Sequence, residues 1–261
     1  KKISIYKCND TGYTFFYPFN LSGDSKFYEH FQEFDWYYMP WKWEHEITKK
    51  YLLDGLSLLE VGCARGAFLK KINEMFDLKN TIGLELNESA AVDNEIWQIK
   101  NESIQSFAKS NKEQFDVVCS FQVLEHIADV KSFLEAKIDC LKKGGKLIIS
   151  VPNNSSFLKD ADNSLNRPPH HMGLWEDSSL RALQELYPLK LEKIHLEELQ
   201  EYHMENYVSA VYYSKYPNRI LRKVMRKTNK ILGLHQAQIK NLESNRKNLI
   251  GQTILAVYQK E

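Results

Sequence analysis

The sequence predicts an α/β fold with a doubly wound parallel sheet, and three observations predict it. From residue 56 onward, short apolar runs alternate with helical segments, the pattern of strand–helix–strand units. The first run, in Leu58–Leu69 (LLEVGCARGAFL), passes through a glycine-bearing turn directly into an amphipathic helix start. The first fifty residues look different, being crowded with aromatic rings and lacking that alternation.

Residues 1–50 contain TGYTFFYPFN and the aromatic run 27–44, FYEHFQEFDWYYMPWKWE, with no clean repeat. They are expected to form a helical cap packed on the domain that follows, with some rings free to touch a ligand. LSLLEV (56–61) is the first strand, and Ala67, Phe68, Leu69, Ile72 and Phe76 mark one face of a helix behind it. TIGLEL (81–86), IWQIK (96–100) and FDVVCSF (115–121) are the next three strands. Val130, Phe133, Leu134, Ile138 and Leu141 recur at helical spacing, and Lys142-Lys143-Gly144-Gly145 supplies last-turn cations and a glycine stop. KLIISVP (146–152) is the fifth strand, closed by Pro152. A polar loop, a helix near 178–187, a strand near 189–195, a charged helical insertion at 199–247 and a last strand at 251–260 complete the chain. The domain boundaries are therefore a cap at 1–50 and an α/β domain at 51–261, with the helical insertion at 199–247 inside it.

Bulk composition sets limits. An apolar fraction of 43 % with 26 % charged residues describes an ordinary globular chain, and a net charge of +1 gives no case for nucleic acid. The four cysteines (Cys8, Cys63, Cys119, Cys140) form no Cys-x-x-Cys pair, which fits a reducing cytoplasm and points away from zinc or disulfides. No apolar run approaches the ~20 residues that span a bilayer, and no leader is visible, so a cytoplasmic location is expected.

The loop after the first strand lacks the Gly-x-Gly-x-x-Gly spacing of a dinucleotide fingerprint. It has Gly62, Cys63, Ala64 and Gly66 instead, preceded by the acid Glu60. An acid beside a tight turn suits a ligand with an amino group better than a pyrophosphate. Glu85, ending the second strand, stands where a carboxylate accepts two ribose hydroxyls, unless both acids are simply strand-end charges. Together they suggest an adenosine carrying an amino acid, S-adenosylmethionine.

These residues resemble the class I S-adenosylmethionine-dependent methyltransferases. LLEVGCARGAFL resembles their first motif, TIGLEL their ribose-binding acid, FDVVCSFQVLEHI their fourth-strand motif and LKKGGKLIISVPN their turn into strand five. Ala64 replaces the usual middle glycine, which implies a slightly shifted loop. The resemblance implies a Rossmann-like sheet of seven strands, mostly parallel with the last antiparallel. It places Glu60, Gly62, Cys63, Ala64 and Gly66 at the methionine end, and Glu85 with Leu86 at the ribose. The adenine falls to Asn101, Glu102 or Ser103, with Asn101 and Glu102 left as alternatives, while Phe121 and Gln122 run along the cofactor.

NRPPHHMGLWEDSSL (166–180) follows the fifth strand, on the side of the expected sulfonium. Methyl transfer to a hydroxyl needs a base, and histidine titrates in the right range, so His170 and His171 are candidates, His171 ahead because His170 directly follows Pro169. The alternative is a stiff loop with surface histidines. His126, in VLEHI, is either a second base or a packing residue. The segment resembles methyltransferases encoded with surface-polysaccharide enzymes, which implies O-methylation of a sugar, nucleotide-sugar or lipid-linked glycan precursor. Some of those relatives carry a zinc ribbon, of which only Cys8 remains, so no metal is expected. An amine or carboxylate acceptor on a small metabolite or quinone precursor is the rival, and a non-catalytic binding module the remoter one. KYPNRILRKVMRKTNK (215–230) is either a solvated basic face or a surface for an anionic acceptor or the inner membrane leaflet. Oligomeric state is not legible.

Overall fold

The computed structural model describes residues 2–23, 27–28, 39–87, 96–161 and 163–261, together with the backbone of 92–93. Most of the aromatic run 27–44 lies outside the described residues.

The main sheet has the order β10-β11-β8-β7-β3-β4-β6-β5. Its strands are β3 (Ser57–Val61), β4 (Asn80–Leu84), β5 (Val92–Asp93), β6 (Gln98–Lys100), β7 (Phe115–Phe121), β8 (Leu141–Pro152), β10 (Leu189–Glu198) and β11 (Ile250–Lys260). Strands β3, β4, β6, β7 and β8 run parallel, and β11 lies antiparallel to β8. The seven principal strands thus form the expected sheet, with one antiparallel member between β8 and β10, and β5 adds a two-residue edge. Helices α2 (Ala67–Met75), α3 (Ile104–Phe107) and α4 (Val130–Cys140) follow β3, β6 and β7. Two short helices, α5 (Asp177–Arg181) and α6 (Leu183–Leu186), stand where one was expected near 178–187.

Central β3 is buried along its whole length on both faces, as a parallel strand covered by helices on each side must be. Two apolar clusters result, one on each face. Leu59, Val118, Leu134 and Ile149 belong to one; Leu58, Leu69, Ile148 and Leu255 belong to the other.

Two expectations change here. The sequence LKKGG does not end α4: the helix stops at Cys140 and the chain enters β8 at Leu141. The Lys142 ammonium pairs with Asp116 at 2.8 Å, and Gly144 (φ +77°) makes the kink before the regular ladder resumes at Lys146. The beginning of the cap is not helical either. β1 (Ser4–Lys7) and β2 (Thr14–Tyr17) form a hairpin, and β2 pairs with β9 (Gly173–Leu174) from the loop beyond β8. Thr-Phe-Phe-Tyr has the β-branched and aromatic character of a strand, and Phe16 is the side chain it buries. A side chain at Gly173 would strike the Tyr13 hydroxyl, so glycine is what allows the two segments to meet. The cap does include helix α1 (Trp43–Lys49), whose Ile47 joins the core beside Leu52 and Leu58.

The insertion before β11 is helical as expected, with α7 (Met204–Lys215), α8 (Arg219–Ile231) and α9 (Leu234–Asn245). α7 buries Met204, Val208, Ala210 and Tyr212, whereas α8 buries nothing.

Candidate active site

The glycine loop sits at the carboxyl end of β3. Gly62 (φ +76°) and Gly66 (φ +71°) occupy left-handed backbone, and so does Ala64 at φ +48°. Ala64 therefore keeps the conformation of the glycine it replaces, at the strain a Cβ brings there. The amides of Gly62 and Cys63 donate to the Leu84 carbonyl, and the Ala64 amide donates to Glu85 Oε2 at 3.0 Å. Glu85 thus braces the loop with one carboxylate oxygen while the other accepts from the Asn87 amide.

Glu60 is the more demanding group. It is 4 % exposed, and its Oε2 finds no partner among the described residues. Burial, with the Glu85 charge behind it, pushes its carboxyl up to about 8. A buried carboxylate with an orphaned oxygen is costly unless a cation arrives. The ammonium of a bound ligand would meet that demand.

Behind the loop, β7 delivers Phe121 and Gln122. Phe121 packs against His45 and Phe68, and Gln122 adopts φ +55° with its amide donating to the Ser150 carbonyl. This left-handed residue turns the chain sharply into the 3₁₀ turn Leu124–His126. Asn101 donates to the Glu85 carbonyl, Glu102 accepts from Ser106, and Ser103 caps α3. Asn101 is thereby tied to the expected ribose acid, while Glu102 and Ser103 serve the helix start. Leu86 is exposed beside Glu85.

The structure brings His126, His170 and His171 into one cluster. Ring centroids lie 4.7 Å apart for His126–His170, 5.0 Å for His126–His171 and 4.5 Å for His170–His171. The two positions expected from the loop are therefore joined by the third, from the 3₁₀ turn after β7. The Met172 amide donating to the Glu125 carbonyl at 2.7 Å ties those two segments together. Each Nδ1 faces an oxygen: the His170 carbonyl at 2.6 Å from His126, the Leu165 carbonyl at 3.0 Å from His170, and Asn166 Oδ1 at 3.0 Å from His171. A carbonyl only accepts, so these contacts put the proton on Nδ1 and the lone pair on Nε2 of the neutral ring. Burial holds all three rings neutral, lowering His126 to about 3 and taking His170 and His171 below the ordinary histidine range.

Several residues of this site were not singled out in the sequence. Asn166 is held by Asn154, whose own amide donates to the Pro152 and Trp175 carbonyls, so a chain of amides runs from the end of β8 to His171. Glu125 is buried with Oε2 unpartnered among the described residues, and burial pushes its carboxyl up to about 8. Glu44 is buried near Gln122, whose amide is 3.5 Å away. Tyr28 donates to the His170 carbonyl at 3.0 Å and packs on His126, so the cap covers the cluster. Asn154 and Asn166 carried no legible signal, because polar loop residues of this kind are common. The Glu-His pair at 125–126 carried one, since an acid and a base followed a buried strand.

The methyltransferase-domain family profile matches residues 36–229. The chain belongs to the class I S-adenosylmethionine-dependent methyltransferases. Its cofactor is S-adenosylmethionine, which the Glu60 carboxylate and the glycine loop fit. A ubiquinone biosynthesis O-methyltransferase of Dictyostelium discoideum is 28 % identical over 122 residues, covering 40 % of this chain and 37 % of the relative. The protein of the same name from Bradyrhizobium diazoefficiens is 24 % identical, covering 44 % and 47 %. The chain thus spans less than half the length of these relatives. A SAM-dependent methyltransferase from Archaeoglobus fulgidus superposes with a TM-score of 0.53 at 19 % identity, over 91 % of this chain and all (100 %) of that one, a likeness of fold. No helix among the described residues is long and apolar enough to cross a membrane.

Proposed function

We propose that this methyltransferase acts on an oxygen of a small hydroxylated acceptor. The observation that carries the reading is the cluster of three neutral imidazoles reached from the same strand ends as the glycine loop. The curated relatives are named for ubiquinone biosynthesis and O-methylation, which makes a phenolic quinone precursor the first acceptor class to test. A sugar hydroxyl, free or on a nucleotide or lipid carrier, is the second. It is favoured by the number of imidazoles: an alcohol is a far weaker acid than a phenol, whose pKa is about 10, and requires more help to lose its proton.

S-adenosylmethionine would supply, when bound, a methyl group activated by a positive sulfur. The chain's residues do the rest. Glu60 would pair with the cofactor's ammonium, and Glu85, which holds the loop through the Ala64 amide, would offer its remaining lone pairs to the ribose. Tyr28 and the hairpin close over the histidine loop and limit water. His171 receives the hydroxyl proton on Nε2, since Asn166 fixes its Nδ1–H. Holding the acceptor oxygen in line with the sulfonium supplies much of the rate gain.

The test is a methyl-transfer screen with labelled cofactor against catechols and hydroxylated quinone precursors, nucleotide-sugars and simple amines. With a hydroxyl acceptor, His171→Ala lowers kcat by about 10²–10⁴ and leaves S-adenosylhomocysteine affinity near normal. Transfer to amines alone, or a kcat that survives replacement of all three histidines, overturns the reading.

A further inference from the structure

We propose that His126, His170 and His171 form a binding site for a divalent transition cation of the zinc class. The Glu125 carboxylate lies beside it, and the outer positions face an acceptor's oxygen. This departs from the absence of metal expected from the sequence. One ligand atom from each histidine lies within 4.8 Å of the others. Zinc–nitrogen bonds of about 2.0–2.1 Å draw tetrahedral ligands to roughly 3.4 Å apart, a modest side-chain adjustment. The oxygens facing Nδ1 of His126 and His171 supply what metal-bound imidazoles need, a partner that fixes the orientation of the ring. An independent observation points the same way. Glu125, buried, has Oε1 4.0 Å from His126 Nε2 and an Oε2 without a partner among the described residues, an orphaned oxygen beside the cluster that a cation would satisfy. Imidazole donors select zinc, cobalt, nickel or copper over magnesium, which prefers all-oxygen surroundings.

The inference rests on the oxygen-acceptor reading for the use of the site, where a bound ion would take the imidazole lone pairs and, in place of His171 as base, would acidify the acceptor's hydroxyl; binding itself is read without any acceptor. Chelator-treated protein dialysed against Zn²⁺ should retain one equivalent, and against Co²⁺ should develop the visible absorption of a low-coordinate nitrogen site. Asn166→Ala should weaken metal binding by about 10–100-fold. His126→Ala with His171→Ala should abolish it, with S-adenosylhomocysteine binding retained as the check on folding. Sub-stoichiometric binding, or binding that survives the double histidine variant, overturns the site. Full transfer to a hydroxyl acceptor by metal-free protein also overturns it, while leaving the O-methylation reading standing.

A different observation, the orientation of α8, carries a second proposal. Two of its arginines turn back onto the protein: Arg222 donates to the Tyr216 and Pro217 carbonyls, and Arg226 to Ser209. Ile220 and Ile231, each 75 % exposed, and Val224 point outward, on the side flanked by Lys223 and Lys227. We infer that this ridge docks on an anionic lipid surface. The helix carries basic residues and no acid, so a second copy of the chain would bring like charge against it, whereas anionic headgroups complement it. Arg222 and Arg226, counted among the basic residues of 215–230, are engaged by the protein and do not contribute outward. Vesicles of phosphatidylcholine with phosphatidylglycerol should co-sediment the protein, and pure phosphatidylcholine should not. Ile220→Ser with Val224→Ser and Ile231→Ser should release it. Failure to bind the anionic vesicles, or binding undiminished in the triple variant, overturns the proposal.

Discussion

Helices α4 and α8 have similar lengths and opposite habits. α4 buries Phe133, Leu134, Ala136 and Ile138 against the sheet, and with them a lysine, Lys137. α8 turns its isoleucines to solvent and keeps Arg222 and Arg226 against α7. An amphipathic pattern specifies that one face is apolar and not which way that face points. Direction comes from the neighbour. α4 lies on a sheet with an apolar face to cover, whereas α8 meets Ser209, Tyr212 and Tyr213 on α7, side chains that receive guanidinium and amide groups.

This contrast can be broken by measurement. The largest effect is expected at Leu134, fully buried in α4: Leu134→Ala should cost about 2–5 kcal/mol in denaturant unfolding. A middle effect, of opposite sign, is expected at Lys137. Its ammonium is 0 % exposed, donates to Ser120 Oγ at 2.6 Å and is pushed down to about 7 by burial. Because the folded pKa lies below the unfolded value, the charged form penalises the fold. The penalty is full below pH 7 and fades as pH rises toward about 10. Lys137→Met should therefore stabilise the protein at pH 6 by on the order of 2 kcal/mol, after allowing for the lost hydrogen bond. The gain should shrink by pH 9.5, and a gain independent of pH would break the account. The smallest effects belong to α8, where Val224→Ala or Lys227→Met should change stability by no more than about 0.5 kcal/mol. A cost at Val224 comparable with that at Leu134 would show that the outer face of α8 is covered in free solution.

The same distinction between pattern and direction separates what was legible in the site. FDVVCSF was legible as a strand at 115–121 and is β7, because an unbroken β-branched and aromatic run has few other ways to bury itself. The glycine loop was legible through Gly62 and Gly66, whose positive φ angles only glycine adopts without strain. TFFY escaped, since aromatic density without context suits a helix face as well as a strand. Its pairing with β9, some 160 residues away, decided the matter. LKKGG escaped because the partner that draws Lys142 into the sheet is Asp116, on another strand.

By itself the sequence determined the class of fold, the alternation of strands and helices and, through the resemblance of its motifs, the family and its cofactor. The fold class follows from local periodicity and turn chemistry, which act over a few residues, and the cofactor from the resemblance of the motifs. Tertiary structure alone decided that His126 belongs with His170 and His171, that Asn154 and Asn166 orient the last of them, and that Tyr28 covers them. It also decided that Glu60 and Glu125 are buried with an unmet carboxylate oxygen among the described residues. The physical reason is that hydrogen-bond satisfaction and burial depend on distances between segments far apart in sequence, and no local pattern encodes those distances.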